Sequence, residues 1–429
     1  MIERPSRRDV TRTAAGLMAA GVLGGRFARA AAPAKPGPGT IAEIDSMLRS
    51  ATSGGEVPGV VALAATDRGI LYEGVFGQRR LRDGPAMTRD TVFRVASMVK
   101  LITSVAALQL VEQDKLALDA PVPDIDPVIG SPRVVEGFDD KGRPVLLPAN
   151  RPITLRQLLT HTSGLAYRLW DAKAVRYAAS IDKLPPAQRK EAPRTALMFD
   201  PGERWQYGTS IDWVGRIVES ISGVPLDLYF RKHILDPLGM NDTAFVISPR
   251  QRAREASVHR RGPAGSLTAE PMEQPSGGTH ARHSGGGGIY SSGPDYLALI
   301  RALLQGGALD GVRILRPETV ALMGQNQIGE VDVGVLKTTN PALSRDVDLC
   351  PGVGLKWGFG HMINMQALPG GRSAGSMTWG GLLNTYYWID PDKRVAAVFM
   401  TQVLPFADNN ALRLYRQFER GIYAITKAG

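Results

Sequence analysis

The sequence predicts an α/β fold: a sandwich on a mostly antiparallel sheet flanked by helices, with a helical region inserted between the strands that build it. Three observations lead there. Strand-like runs stand near the start of the chain, Gly59–Ala65 and Ile70–Phe76. More follow near its end, at Leu355–Ile363, Ser376–Trp379, Leu383–Ile389 and Arg394–Thr401. Between the two groups, from about residue 115 to about 285, short helical segments are broken by Pro and Gly.

Taken in order, Ile41, Ile44 and Leu48 mark one face of a short amphipathic helix. The first two strand runs are separated by Thr66-Asp67-Arg68-Gly69, the spacing of an antiparallel hairpin. Ser97 to Val111 contains neither Gly nor Pro and is apolar on nearly every side, so it reads as a buried helix beginning near Ser97. Within the inserted region the pattern is interrupted by excursions at Gly130–Asn150 and Asp171–Arg194. Leu155–Leu165 reads as a helix end capped by a turn. Pro201-Gly202 delivers Tyr207 ahead of a helix carrying Ile211, Val214, Ile217, Val218 and Ile221 on one face, with Ser210 placed to cap it. Ser284 to Ser292 is Gly-rich but lacks the lysine and spacing of a phosphate loop, which leaves a tight backbone crossing. Residues 325–352 read as a long loop. Asp390-Pro391-Asp392-Lys393 forms a hairpin turn between the last two strands, and Leu412, Tyr415, Phe418 and Ile422 define one face of a terminal helix. No internal repeat is visible.

The chemistry concentrates at Ser97-Met98-Val99-Lys100. Three residues apart on a helix, the serine and lysine share a face. A lysine in a first turn opposes the positive end of the helix dipole, which together with apolar surroundings is expected to favour a neutral amine able to accept a proton. The Ser97 N–H points out of the helix end, so nucleophile, base and half an oxyanion hole come from four residues. A second copy of the pattern, Ser180-Ile181-Asp182-Lys183, lies in a charged segment ending at Pro185-Pro186 and is set aside. Gly371-Arg372-Ser373-Ala374-Gly375 matches a nucleophile elbow, but that arrangement needs a histidine after the serine and all six histidines precede Ser373. His161 in its Thr/Ser/Gly turn is a candidate base, although a histidine so placed more often satisfies backbone groups. His280 and His283 have no evident third partner for a metal.

Composition bounds the rest. The 429 residues, 43% hydrophobic and 21% charged, are ordinary for a globular protein. Residues 1–30 carry paired arginines, Arg7-Arg8, then a small-residue apolar run and Ala28-Arg29-Ala30. This pattern predicts a twin-arginine-type signal peptide, with residues 31–39 a linker, residues 40–429 the catalytic domain, and a periplasmic or secreted destination. The formal charge is +10, of which the six arginines of residues 1–30, set against Glu3 and Asp9, supply part. The cluster Arg250, Arg252, Arg254, Arg260 and Arg261 lacks interleaved aromatics and reads as a solvated surface, so no nucleic acid is expected as a partner. Cys350 is the only cysteine and is expected to be a structural or loop thiol. No apolar run after the leader approaches the length of a membrane span, and the sequence leaves the oligomeric state open.

Thr91–Lys100, the turn His161-Thr162-Ser163-Gly164-Leu165, Pro201-Gly202 leading to Tyr207, and Trp379-Gly380-Gly381 stand in an order that resembles the serine β-lactamase and penicillin-binding-protein superfamily. More narrowly they resemble its class C-related family VIII carboxylesterases. The resemblance implies a β-lactamase-like sandwich and a serine hydrolase cleaving carboxylic esters through an acyl-Ser97 intermediate, without metal or cofactor. It implies Lys100 as the proton-shuttling amine, Tyr207 as the tyrosine acting as base with it, and the N–H groups of Ser97 and Leu382 as the oxyanion hole. Trp379, Gly380, Gly381 and Tyr167 are expected around a small-molecule ester or amide substrate. Two departures stand out: Tyr207-Gly208-Thr209 replaces Tyr-x-Asn, and Trp379 replaces the lysine of Lys-Thr-Gly. Losing that cation and amide disfavours antibiotic carboxylates and favours neutral or hydrophobic acyl esters. A weak β-lactamase, a D-amino-acid peptidase or amidase, an acyltransferase, and a penicillin-binding sensor that is acylated without turnover remain alternatives.

Overall fold

The computed structural model describes residues 39–122, 129, 132–185, 196–271 and 283–428. The expected leader, all but the last residue of the linker, and His280 lie outside these. In chain order, helix α1 (Ile41–Ser53) is followed by the strands β1 (Gly59–Thr66) and β2 (Gly69–Gly77). After the short strand β3 (Val92–Arg94) and a single turn over Ala96–Met98 comes helix α2 (Val99–Glu112). The inserted region holds β4 (Arg133–Phe138), β5 (Pro144–Pro148), α3 (Leu155–Leu159), α4 (Ala172–Asp182), β6 (Ala196–Leu197) and α5 (Ser210–Ser222). β7 (Tyr290–Ser292) and α6 (Gly293–Leu304) lead back to the sheet, which the chain completes with β8 (Leu355–Trp357), β9 (Met362–Asn364), β10 (Met377–Gly381), β11 (Thr385–Asp390) and β12 (Val395–Met400) before α7 (Asn409–Ala428).

The seven-stranded sheet runs β8-β9-β10-β11-β12-β1-β2, and every neighbouring pair is antiparallel. The first and last strand groups therefore meet in the middle, with Val61 opposite Met400 and Thr66 opposite Val395. Because successive side chains leave a strand on opposite faces, β11 builds two layers at once. Tyr386 and Trp388 face α7, with ring centroids 4.6 Å from Tyr415 and 5.6 Å from Phe418 respectively. Tyr387 faces the other way and meets Tyr296 of α6 at 5.4 Å. The expected face of α7 is buried at Leu412, Tyr415, Phe418 and Ile422.

Helix α2 is buried from Val99 through Leu110, polar residues included, as its all-round apolar pattern requires. Thr103 settles its hydroxyl on the Gly285 carbonyl at 2.7 Å, and α3 begins in a reciprocal Thr154/Gln157 cap.

Four expectations need correction. The inserted region is not only helical: β4 and β5 form a hairpin, with β6 added parallel to β4, and this hairpin makes up most of the described part of the 130–150 excursion, residues 132–150. Its turn is held by Asp139, whose carboxylate accepts from the N–H groups of Lys141 and Arg143, with Gly142 at φ +74°. Leu355–Ile363 is two strands, because the residues between Trp357 and Met362 turn back, with Gly360 at φ +92°. Ser210 does not cap α5: the cap is Thr209, without a side-chain bond, and the Ser210 hydroxyl pairs with that of Ser163 at 2.8 Å. Ile41 is 51% exposed, leaving Ile44 and Leu48 as the buried face of α1.

Candidate active site

Ser97 lies in the turn that opens α2, directly after Ala96 at φ +45°, a left-handed backbone that alanine seldom adopts. Val95 is tied to the Ile289 carbonyl at 3.1 Å, and the Tyr296 hydroxyl donates to the Met98 carbonyl at 2.9 Å, so neighbours hold the turn on both sides. A residue in such a conformation persists only where the surroundings over-determine it.

Lys100, fully buried, turns its Nζ onto three partners: the Ser97 hydroxyl at 3.3 Å, the Tyr167 hydroxyl at 3.3 Å and the Gly286 carbonyl at 2.6 Å. It also stands 4.9 Å from the ring centroid of Tyr207. The expected backbone crossing at the Gly-rich loop is there. A Cβ on Gly285 would stand 2.5 Å from the Ile211 carbonyl, and one on Gly286 would stand 2.3 Å from Asp212 Oδ2. Only glycine lets this loop come close enough to place a carbonyl on Lys100.

Tyr207 is fixed by the turn before it. His161, at φ +57°, accepts from Gln206 N through its carbonyl at 3.0 Å and from Gly208 N through Nδ1 at 3.3 Å, which pins both residues flanking the tyrosine. Burial and the nearby Lys100 charge push the His161 imidazole well below the usual histidine range. It is a neutral acceptor satisfying backbone groups. A Cβ on Gly208 would stand 2.1 Å from the Leu165 carbonyl, which accounts for glycine after Tyr207. The Tyr207 hydroxyl accepts from Trp379 Nε1 at 3.1 Å. Rings surround it: His161 at 4.7 Å, Trp379 at 4.8 Å, and Tyr167 and Trp170 each at 5.4 Å.

The structure thus brings together Ser97, Lys100, Tyr207, Tyr167 and Trp379. Gly381, at the end of β10, packs so closely on the turn before Ser97 that a Cβ would stand 2.3 Å from the Val95 carbonyl. Gly380 is pressed in the same way against Tyr386. Leu382 follows directly, and among the described residues neither its N–H nor that of Ser97 is donated to a protein acceptor. Tyr167, expected as a pocket wall, instead meets Lys100 and donates to Asp212 Oδ2 at 2.9 Å. Burial first, then the Asp212 charge, raises its phenol well above the usual range, so it stays protonated. Sequence reasoning did not single out Asp212, Ser284 or Gly286; the Gly-rich loop was the signal for the last two, and Asp212, on α5, had none.

The other candidates lie elsewhere. Ser180 donates to the Tyr177 carbonyl at 2.6 Å within α4. Ser373 sits before a strand and donates to Asp392 at 2.9 Å. Among the described residues no cluster of His, Cys, Asp and Glu could hold a metal. No described helix is long and apolar enough to cross a membrane.

Beside the aromatic wall lies a pocket of about 220 Å³, partly open to solvent. Trp205, Trp379, Met362, Leu355, Leu336 and Val353 are among its apolar lining residues, and the buried Cys350 joins them. Trp379 belongs both to this pocket and to the Tyr207 contact. The 325–352 segment, a long loop as expected, supplies much of the lining.

Known proteins resemble the chain over most of its length. The chain is 32% identical to the ML-236A carboxylate methylbutanoyltransferase of Penicillium citrinum, over 91% of this chain and 96% of that one. It is 31% identical to the lovastatin esterase of Penicillium rubens, over 89% and 98%. The unliganded simvastatin synthase of Aspergillus terreus superposes with a TM-score of 0.79 at 30% identity, covering 91% of this chain and 99% of that one. The Beta-lactamase family profile matches residues 44–421, and with the antiparallel sheet, its flanking helices and the Ser97/Lys100 pair at the head of α2, the chain belongs to the beta-lactamase family.

Proposed function

We propose that the protein is a serine acyl-transfer enzyme that takes an acyl group from an ester onto Ser97 and delivers it to an alcohol. The observation that carries this reading is Lys100 Nζ held 3.3 Å from the Ser97 hydroxyl in a buried site. As Ser97 Oγ bonds to the acyl carbon, its proton passes to the Lys100 amine and the carbonyl oxygen becomes an oxyanion facing the N–H groups of Ser97 and Leu382. The leaving alkoxide takes the Tyr207 proton. The resulting phenolate, beside the Lys100 cation and the Trp379 N–H, recovers a proton from Lys100. An incoming hydroxyl reverses these steps and releases the acyl group.

Two further observations support transfer to a bulky alcohol. The walls around Tyr207 are aromatic, and the adjoining pocket is largely apolar. Curated relatives are named for transfer of a methylbutanoyl group. The carboxylesterase reading is the same chemistry with water as acceptor, and the lovastatin esterase relative favours it. Export through a twin-arginine leader belongs to this proposal as its location.

Mass spectrometry during turnover of p-nitrophenyl butyrate tests it. A transient adduct on Ser97, with the butyryl group passing to an added alcohol in preference to water, is expected. Partition to water alone makes the protein an esterase. A persistent adduct with nitrocefin and no turnover makes it an acylated sensor, and no adduct with either probe removes the acyl-enzyme.

A further inference from the structure

Among the described residues Lys100 Nζ has three hydrogen-bond partners, and two of them can only accept. The Gly286 carbonyl, at 2.6 Å, has no proton. The Tyr167 hydroxyl, at 3.3 Å, has one, but it is given to Asp212 Oδ2 at 2.9 Å. The other Asp212 oxygen accepts from the Ser284 hydroxyl, and Ser284 Oγ accepts in turn from Gly286 N at 3.0 Å. The carboxylate on α5 is thereby tied to the same loop that grips the lysine.

We infer that Asp212 is a positioning residue that aims Lys100 at Ser97, acting through the Tyr167 hydroxyl. In the unprotonated state, the one that can take the Ser97 proton, the amine has two N–H bonds and one lone pair. With Gly286 and Tyr167 both obliged to accept, the two N–H bonds are committed to them and the lone pair is left for the third neighbour, the Ser97 hydroxyl. That is the orientation in which the Ser97 proton moves to Nζ while Oγ bonds to the acyl carbon. Without a carboxylate on its proton, Tyr167 could turn and donate to the lysine, and the lone pair would face the wrong oxygen.

The inference rests on the acyl-Ser97 reading, and the two fail differently. Single-turnover acylation by p-nitrophenyl butyrate is followed on the full chain in wild type, Asp212→Asn, Tyr167→Phe and the double variant. Asp212→Asn is expected to slow acylation about 10²-fold, the scale of a misplaced catalytic group, with substrate dissociation constant unchanged. The double variant should be no slower than Tyr167→Phe alone, because a residue acting only through that phenol has nothing left to act on. Multiplying losses, or wild-type acylation in Asp212→Asn, would overturn the inference. Should Asp212→Asn fail to fold by circular dichroism, wild-type acylation in Tyr167→Phe overturns it instead, and a comparable loss supports it. Ser97→Ala that still turns over would refute the acyl-enzyme itself, whatever the cycle shows.

Discussion

Trp379 donates its indole N–H to the phenolic oxygen of Tyr207 across 3.1 Å, while Lys100 Nζ stands 4.9 Å from the same ring. In the proposed mechanism, negative charge developing on Tyr207 would therefore be met by a donor and a cation in a buried site. The donor comes from the position at which the resembling β-lactamases carry a lysine, so the position keeps a link to the reacting groups while losing its charge.

Trp379→Phe keeps most of the ring and deletes the N–H. It should lower kcat about 10-fold on p-nitrophenyl esters, the scale of one hydrogen bond to a developing charge. Tyr207→Phe should cost about 10³-fold, as expected for a lost proton-transfer group. Steady-state kinetics on both variants checks the order; an inert Tyr207→Phe substitution would take the tyrosine out of the mechanism.

Ser97→Ala should abolish adduct and turnover, and Lys100→Ala should cost about 10⁴-fold, as for other members of a nucleophile and base unit. Ser180→Ala should match wild type, since its hydroxyl only caps a carbonyl within α4. Loss of activity in Ser180→Ala with retention in Ser97→Ala would reassign the nucleophile.

Gly286→Ala should impair acylation more than a typical surface change, because its Cβ would stand 2.3 Å from Asp212 Oδ2 and 2.8 Å from the Tyr167 hydroxyl. The carbonyl on Lys100 would have to withdraw. Gly287→Ala, whose Cβ meets nothing within 4 Å, is the control and should stay active.

Burial lowers the His361 imidazole from 6.5 to about 4, while its Nε2 stands 2.9 Å from the Met323 carbonyl. The unfolded chain binds a proton here that the folded chain refuses, so stability is full above pH 6.5 and is lost as pH falls toward about 4. His361→Gln keeps a donor for Met323 and removes the titration. Between pH 7 and pH 4 the wild type should lose on the order of 3 kcal/mol more than this variant in urea unfolding. Parallel curves would show that His361 does not sense pH.

Ser97 and Lys100 were legible as a pair because they are close in sequence: the head of one helix places both, and its apolar run announces burial. Strands β1, β2 and β10–β12 and the α7 face were legible because their periods are local. Asp212 was not, because its importance depends on a contact with Tyr167, 45 residues away, and with Ser284, 72 residues away. The Ser210 cap failed for a related reason: a hydroxyl that would suit a helix start found Ser163 instead. The β4/β5 hairpin was missed because a Pro-flanked, mixed-charge stretch hides its alternation, and its edge strand leaves Val145 and Leu147 42% and 47% exposed.

The lysine is gripped by a main-chain carbonyl of the Gly-rich loop, whereas the apolar pocket is lined largely by residues 333–379. Trp379 belongs to both, as a wall of the pocket and as a donor to Tyr207. Reshaping the pocket within residues 333–355 would therefore vary acceptor preference with the Ser97 and Lys100 pair left alone, whereas any segment exchange that takes in Trp379 would change preference and reactivity together.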